Sequence, residues 1–150
     1  MTDAELAQLL TDARAARDPQ RLADALPYSS FLGLELSLDE RGLLGTMRYA
    51  EHLIGDASIP ALHGGTLAAL MESTAIFATL FDEDTVALPR TITLTIDYLR
   101  SGRPVDTYCR ARFVRRGRRI TVVEAAAYQD DPEKPVATAI IHVLLTPPSP

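Results

Sequence analysis

The sequence predicts an α+β domain, an antiparallel sheet wrapped around one long central helix, with a helical extension in front. Three observations predict it. Residues 64–81 (GGTLAALMESTAIFATLF) hold one charge, Glu72, and put apolar side chains on every face of a helix, which marks a helix buried on nearly all sides. Segments rich in β-branched and aromatic residues follow at 91–98, 107–116, 118–129 and 136–146, separated by short turns. Strands joined by short turns favour antiparallel pairing. A single buried helix needs a wrapper, and this sheet supplies it.

In chain order, residues 4–17 place Leu6, Leu9 and Leu10 at helical spacing, with Thr2 or Asp3 as N-cap. Asp18-Pro19 opens a second short helix, QRLADAL, which ends before Pro27. These two helices form an N-terminal extension, residues 1–26. Strand candidates Leu34–Leu38 and Leu43–Tyr49 flank a turn at Asp39-Glu40-Arg41-Gly42. Residues 50–62, with Gly55 and Pro60, read as irregular. After the helix, 91–98 alternates: Ile92, Leu94, Ile96 and Tyr98 on one face, Thr91, Thr93, Thr95 and Asp97 on the other. Gly117 and Asp130-Asp131-Pro132-Glu133 mark the later turns. The main domain spans 27–146, and residues 147–150 form a disordered tail.

The chain has 150 residues, 47% apolar and 23% charged, with net charge −5, as expected for one soluble globular domain. That acidity argues against nucleic-acid binding. The N-terminus MTDAELAQLL lacks a basic segment, so a cytoplasmic protein without a secretory signal is expected. The helix over 64–81 carries Glu72, Thr66, Ser73, Thr74 and Thr79, so a membrane span is not expected. The average charge hides a segregation. Residues 100–119 carry eight arginines against Asp106 alone, a net of +7, which leaves −12 on the other 130 residues. A preference for Arg over Lys runs through the whole chain, but does not account for this packing.

Several catalytic motifs are absent: Gly-x-Ser-x-Gly, the P-loop and Gly-x-Gly-x-x-Gly. His52, His63 and His142 show no zinc-like spacing, so no metal is expected. His142 alternates with Ile140 and Leu144 and reads as structural, and Cys109 as a small core residue. What remains is His63-Gly64-Gly65 at the start of the buried helix, with Glu72 two turns inside it. A helix N-terminus offers unpaired N–H groups and the positive end of the macrodipole. Two glycines let another molecule approach them, as polarising a carbonyl requires. A carboxylate in an apolar helix is costly to bury and asks for a role, such as work as a base. The competing reading is tight packing at the glycines and an ion pair between Glu72 and an arginine. Gly65 and Glu72 share a face but stand roughly 10 Å apart along the axis. A twofold-related second chain could bring them together.

His63-Gly64-Gly65, six residues and then an acid resembles the signature of hot-dog-fold acyl-CoA thioesterases, nearest the phenylacetate-degradation and 4-hydroxybenzoyl-CoA thioesterase branch. The resemblance covers about residues 27–146. It includes Pro27-Tyr28 to Gly33, Thr91 to Asp97-Tyr98-Leu99-Arg100, and a basic, glycine-containing turn at Arg115-Arg116-Gly117-Arg118. It implies hydrolysis of an acyl-CoA ester at a dimer-interface site in a homodimer or homotetramer, with coenzyme A as part of the substrate and no separate cofactor. It implies that Gly65 N–H polarises the thioester carbonyl and that Glu72 of a second chain acts as nucleophile or general base. Thr91 would hold the water or the acid, and His63 would orient the helix entry. Gly64, Arg115, Arg116, Gly117, Arg118 and Arg119 would contact the substrate, the arginines at the coenzyme A phosphates. Relatives in this branch often carry Asn or Gln six residues before the His; here that position is Ala57, between Asp56 and Ser58. Two rival readings stay open, a non-catalytic acyl-CoA-binding module and a hot-dog enoyl-thioester hydratase. The acyl group is not named by the sequence; Leu67, Leu70, Met71 and Phe77 are either its pocket or plain core.

Overall fold

A computed structural model describes residues 1–82 and 88–146; the expected tail at 147–150 lies outside the described residues. Helix α1 (Asp3–Ala15) starts at a capping box, Thr2 and Glu5 each accepting from the other's backbone N–H. Helix α2 (Gln20–Asp24) follows Pro19. The stretch after it contains a third helix that periodicity did not reveal, α3 (Pro27–Leu32), with Pro27 in its first turn and Gly33 closing it at φ 65°.

Strands β1 (Leu34–Asp39) and β2 (Gly42–Met47) form a hairpin. The segment expected to be irregular holds a 3-10 turn (Glu51–Leu53) and two short paired strands, β3 (Ile54–Asp56) and β4 (Ala61–Leu62). Helix α4 (Gly64–Leu80) comes next, then β5 (Leu88–Tyr98), β6 (Thr107–Arg116), β7 (Ile120–Tyr128) and β8 (Ala137–Thr146). The large sheet runs β1-β2-β6-β7-β8-β5, antiparallel throughout. This is the helix-wrapping sheet of the hot-dog fold.

Alternating residues of the sheet, among them Cys109, Val123, Ala125, Ile141 and Val143, are fully buried on the helix side with Leu70, Met71 and Phe77 of α4. Leu67, Leu70, Met71 and Phe77 are therefore core. Gly45 of β2 is needed for this packing, because a Cβ there would run into the Thr74 side chain. Helices α1 and α2 give Ala13, Leu22 and Ala23 to the same core.

The two sheet edges differ. Beside β1, the Gln20 amide accepts from Leu36 N at 2.7 Å and donates to Leu34 O at 3.4 Å, satisfying part of that edge. The outer edge of β5 pairs with no described strand.

Two corrections concern side-chain facing. Strand β5 bulges between Thr91 and Thr93, so Ile92 is the extra residue and is half exposed rather than aligned with Leu94 and Ile96. The bulge places Thr91 opposite the fully buried Val143, on the helix side of the sheet. Helix α4 is also less enclosed than its composition suggests. Glu72 lies on a stripe with Gly65, Ala68, Ala69, Ser73 and Ile76, of which Gly65 is exposed and the others are partly exposed.

Candidate active site

The start of α4 is held from several sides. His63 N donates to Leu53 O at 2.8 Å, and His63 O accepts from Thr66 N at 2.9 Å and Thr66 Oγ1 at 2.6 Å. The His63 side chain is the N-cap: its Nδ1 accepts from Gly65 N at 2.8 Å. The amide expected to polarise a carbonyl, Gly65 N–H, is thus already engaged within the chain. Gly64 N–H, the first of the helix, has no acceptor among the described residues. Gly64 O accepts from Tyr98 Oη at 2.9 Å. Tyr98 lies 34 positions further along the chain, and nothing in the local pattern ties it to the helix start.

Glu72 sits eight residues into the helix from Gly64, about 12 Å along the axis. Among the described residues it makes no hydrogen bond and no ion pair. The alternative in which an arginine neutralises it is therefore not what the structure has. A half-covered carboxylate without a partner, on the least covered stripe of α4, is free for chemistry.

The four arginines of the β6–β7 hairpin divide. Arg115 is opposite Val122 and Arg116 opposite Thr121, so they leave the sheet on opposite faces. Arg116 is committed: it pairs with Asp82 at 3.1 Å and stacks over Phe113 at 4.3 Å. Arg115, Gly117, Arg118 and Arg119 line a pocket of about 430 Å³ with Ile120, Val122 and His142. The guanidinium groups of those three arginines have no partner among the described residues. The Asp82–Arg116 bridge fixes this hairpin at the C-terminal end of α4, the far end from His63. Arg110 pairs with Asp39 at 2.9 Å and Arg112 with Glu124. The +7 segment is thus partly neutralised locally.

Thr91 is partly buried on the helix side of the sheet. Ala57 is exposed on the turn after β3; beside it, Asp56 Oδ1 accepts from Ser58 N at 2.9 Å and Ser58 Oγ at 2.6 Å. These bonds hold the Asp56 carboxyl below its ordinary pKa. The other histidines serve elsewhere: His142 Nδ1 bonds Thr93 Oγ1 at 2.9 Å, and His52 Nε2 bonds Phe31 O at 2.6 Å. Cys109 is buried and its thiol is pushed up to about 12 by desolvation. Among the described residues no cluster of His, Cys, Asp and Glu could hold a metal ion, and no helix is long and apolar enough to cross a membrane.

Comparison with known proteins places this geometry in context. A family model described as the thioesterase superfamily matches residues 60–136. A solved structure from Chromobacterium violaceum is 33% identical, covering 95% of this chain and 99% of that one, with a TM-score of 0.76. A conserved protein from Pseudomonas aeruginosa is 30% identical, covering 81% and 94%, with a TM-score of 0.71. A thioesterase from Haemophilus influenzae shares the fold at 22% identity, covering 85% and 90%, with a TM-score of 0.74. No curated protein matches the sequence.

Proposed function

This chain belongs to the thioesterase superfamily, and from that premise we propose that it hydrolyses an acyl-CoA thioester at a site shared between two copies. The observation that carries this is the pairing of an unaccepted N–H at the start of α4 with a partnerless Glu72 two turns further on. In the resting arrangement the free donor is Gly64 N–H, so Gly64 rather than Gly65 takes the thioester oxygen. The helix macrodipole and the N–H stabilise charge developing on that oxygen. As base, Glu72 takes a proton from water as the water oxygen adds to the carbonyl carbon, the C–S bond breaks, and that proton goes to the departing coenzyme A thiolate. As nucleophile, its carboxylate oxygen adds instead and expels the thiolate, and water then cleaves the mixed anhydride to the acid.

One carbonyl cannot reach both groups of a single chain across about 12 Å of helix axis. Two features support a second copy: the half-covered stripe on α4 that carries Glu72, and the outer edge of β5, which pairs with no described strand. With two α4 helices antiparallel, Gly64 of one copy lies beside Glu72 of the other. From Glu72 to Asp82, where the arginine hairpin is anchored, is ten residues, about 15 Å of axial rise. The thirteen bonds between sulfur and phosphorus in the pantetheine arm span at most roughly 15 Å at backbone-like spacing. By axial distance the copy that supplies Glu72 is also the one whose hairpin comes within the arm's reach, and its unpaired side chains Arg115, Arg118 and Arg119 are the candidates for the phosphates. Thr91, on the helix side of the sheet, holds the water or the acid.

The test is thiol release from a panel of acyl-CoA esters by the wild type and by Glu72→Ala. Release that is lost in the variant, with its assembly unchanged, is the expected result. Binding without release makes the protein a non-catalytic acyl-CoA-binding module, and hydration of an enoyl ester makes it a hydratase. One turnover in ¹⁸O-labelled water separates the roles of Glu72: label entering its carboxylate marks a nucleophile, and label found only in the product acid marks a base.

A further inference from the structure

Both polar atoms of the peptide group joining Gly64 to Gly65 are gripped by side chains. Its carbonyl accepts from Tyr98 Oη at 2.9 Å, and its N–H donates to His63 Nδ1 at 2.8 Å. The grips come from separate parts of the chain, the residue before α4 and the last residue of β5.

Each is made possible by a missing side chain. A Cβ on Gly64 would stand 3.1 Å from Cε1 and Cζ of Tyr98, and 3.2 Å from its Oη. A Cβ on Gly65 would stand 2.8 Å from Nδ1 of His63, and one on Gly55 2.7 Å from Cα of His63. Glycines that look, in sequence, like room for a ligand make room first for two rings.

Resting on the reading of Gly64 N–H as the carbonyl donor, we infer that Tyr98 is a positioning residue: with His63 it locks the Gly64–Gly65 peptide plane and so aims Gly64 N–H. The physical need is plain. Two glycines in succession have the widest backbone freedom of any pair, at a helix end where intrahelical bonds are missing. A donor acting on a reacting carbonyl must hold its place within about 0.5 Å. The His63–Gly64 plane that carries the donor is held at its carbonyl by Thr66, and tying both ends of the next plane restrains the turn about Gly64 Cα between the two. Tyr98 stands on the helix side of β5 opposite the fully buried Ala137, yet the residue is 54% exposed. That places it at the rim of the helix start rather than in the core. The lock also fixes a tautomer. Because His63 Nδ1 accepts the Gly65 N–H, Nδ1 is the bare ring nitrogen and Nε2 carries the proton.

Tyr98→Phe tests this, since it keeps the ring and deletes one hydrogen bond. The expected result is kcat for thiol release down about five- to tenfold with KM unchanged within about a factor of two. His63→Ala should lower kcat further, and His63→Asn should recover most of that loss, because Asn Oδ1 can cap Gly65 N–H. A lower melting temperature with unchanged kcat overturns the positioning role. Nuclear magnetic resonance of the full chain reads the lock without turnover. The wild type should show His63 protonated at Nε2, and its Gly65 amide should exchange severalfold more slowly than in Tyr98→Phe. The opposite tautomer or equal exchange rates overturn the lock. A wild type that releases no thiol overturns the hydrolase reading alone, and the spectra still decide the lock.

Discussion

Replacing Gly64 by proline removes the amide proton on which the proposed chemistry turns, and little else. Gly64 is the first residue of α4, the position where proline is best tolerated because its N–H has no intrahelical acceptor. His63 before it sits at φ −64° and ψ 129°, the extended conformation a following proline requires. The new ring would press on Tyr98, whose atoms lie 3.1–3.2 Å from the Cβ position, so Gly64→Ala is the matched control with the same crowding and the N–H intact. Losing one oxyanion donor costs roughly 100- to 1,000-fold in kcat, so Gly64→Pro should fall by that factor, while Gly64→Ala, which crowds Tyr98 but keeps the N–H, should lose no more than the roughly five- to tenfold expected of Tyr98→Phe. Mixing subunits then tests the shared site. In a heterodimer of Gly64→Pro with Glu72→Ala, one site carries both lesions and the other carries neither. Random reassociation makes half the dimers mixed, each with one native site, so about one quarter of wild-type turnover per chain should return from two inactive parents. Thiol release after subunit exchange, with mixed dimers verified by differential tagging, is the assay. A folded Gly64→Pro with wild-type kcat would refute the role of this N–H. Verified mixed dimers without recovered turnover would refute the shared site.

Other predictions follow from the charged groups and the thiol. Arg115→Ala with Arg118→Ala should raise KM for an acyl-CoA but not for the same acyl ester of N-acetylcysteamine, which lacks phosphates. Arg116→Ala, removing a group already held by Asp82 and Phe113, should act mainly on thermal stability. Arg14 donates from Nε to Leu80 O at 2.7 Å and from Nη2 to the same oxygen, capping the C-terminus of α4. Arg14→Ala should cost about 1–2 kcal/mol, a fall in Tm of roughly 2–6 °C by calorimetry. The Asp39 carboxyl is held down to about 2, first by the Arg110 guanidinium and then by the Arg41 N–H. Its contribution to stability is complete above its unfolded pKa of about 4 and is lost as pH falls through about 2. Urea midpoints across that range should drop less steeply in Asp39→Asn. Cys109 should resist aromatic disulfide reagents until the chain is denatured, because its thiol is buried and titrates at about 12.

Much of this architecture is written in local pattern. The Thr2-x-x-Glu5 cap, the apolar run of α4 and the alternation of β6 through β8 each name their element, because their physics acts within a few residues. Helix α3 escapes since PYSSFL is too short for helical periodicity and leaves Tyr28 and Phe31 exposed; Pro27 in its first turn and Gly33 after it were the available signal. Strands β3 and β4 are too short to alternate. The bulge at Ile92 is hidden because an inserted apolar residue leaves the apparent alternation intact. For the candidate site, the sequence singles out His63, Gly64, Gly65 and Glu72. It does not reveal which amide is free, since that depends on the rotamer of His63 and on Tyr98 arriving from the end of β5. Nor does it separate Arg116 from its neighbours, because the bulge between Phe113 and Arg115 decides which arginine turns towards Asp82.

The Gln20 amide seated against β1 bears on how assembly ends. A sheet with two bare edges can add copies without limit, as a fibre does. Here one margin is partly plugged by a side chain from the chain's own N-terminal extension. Among the described residues β5 is the barer margin, and a twofold contact there would use that margin of both copies at once. On this account the Gln20 amide guards the β1 margin, and Gln20→Ala would leave Leu34 O and Leu36 N of that edge open.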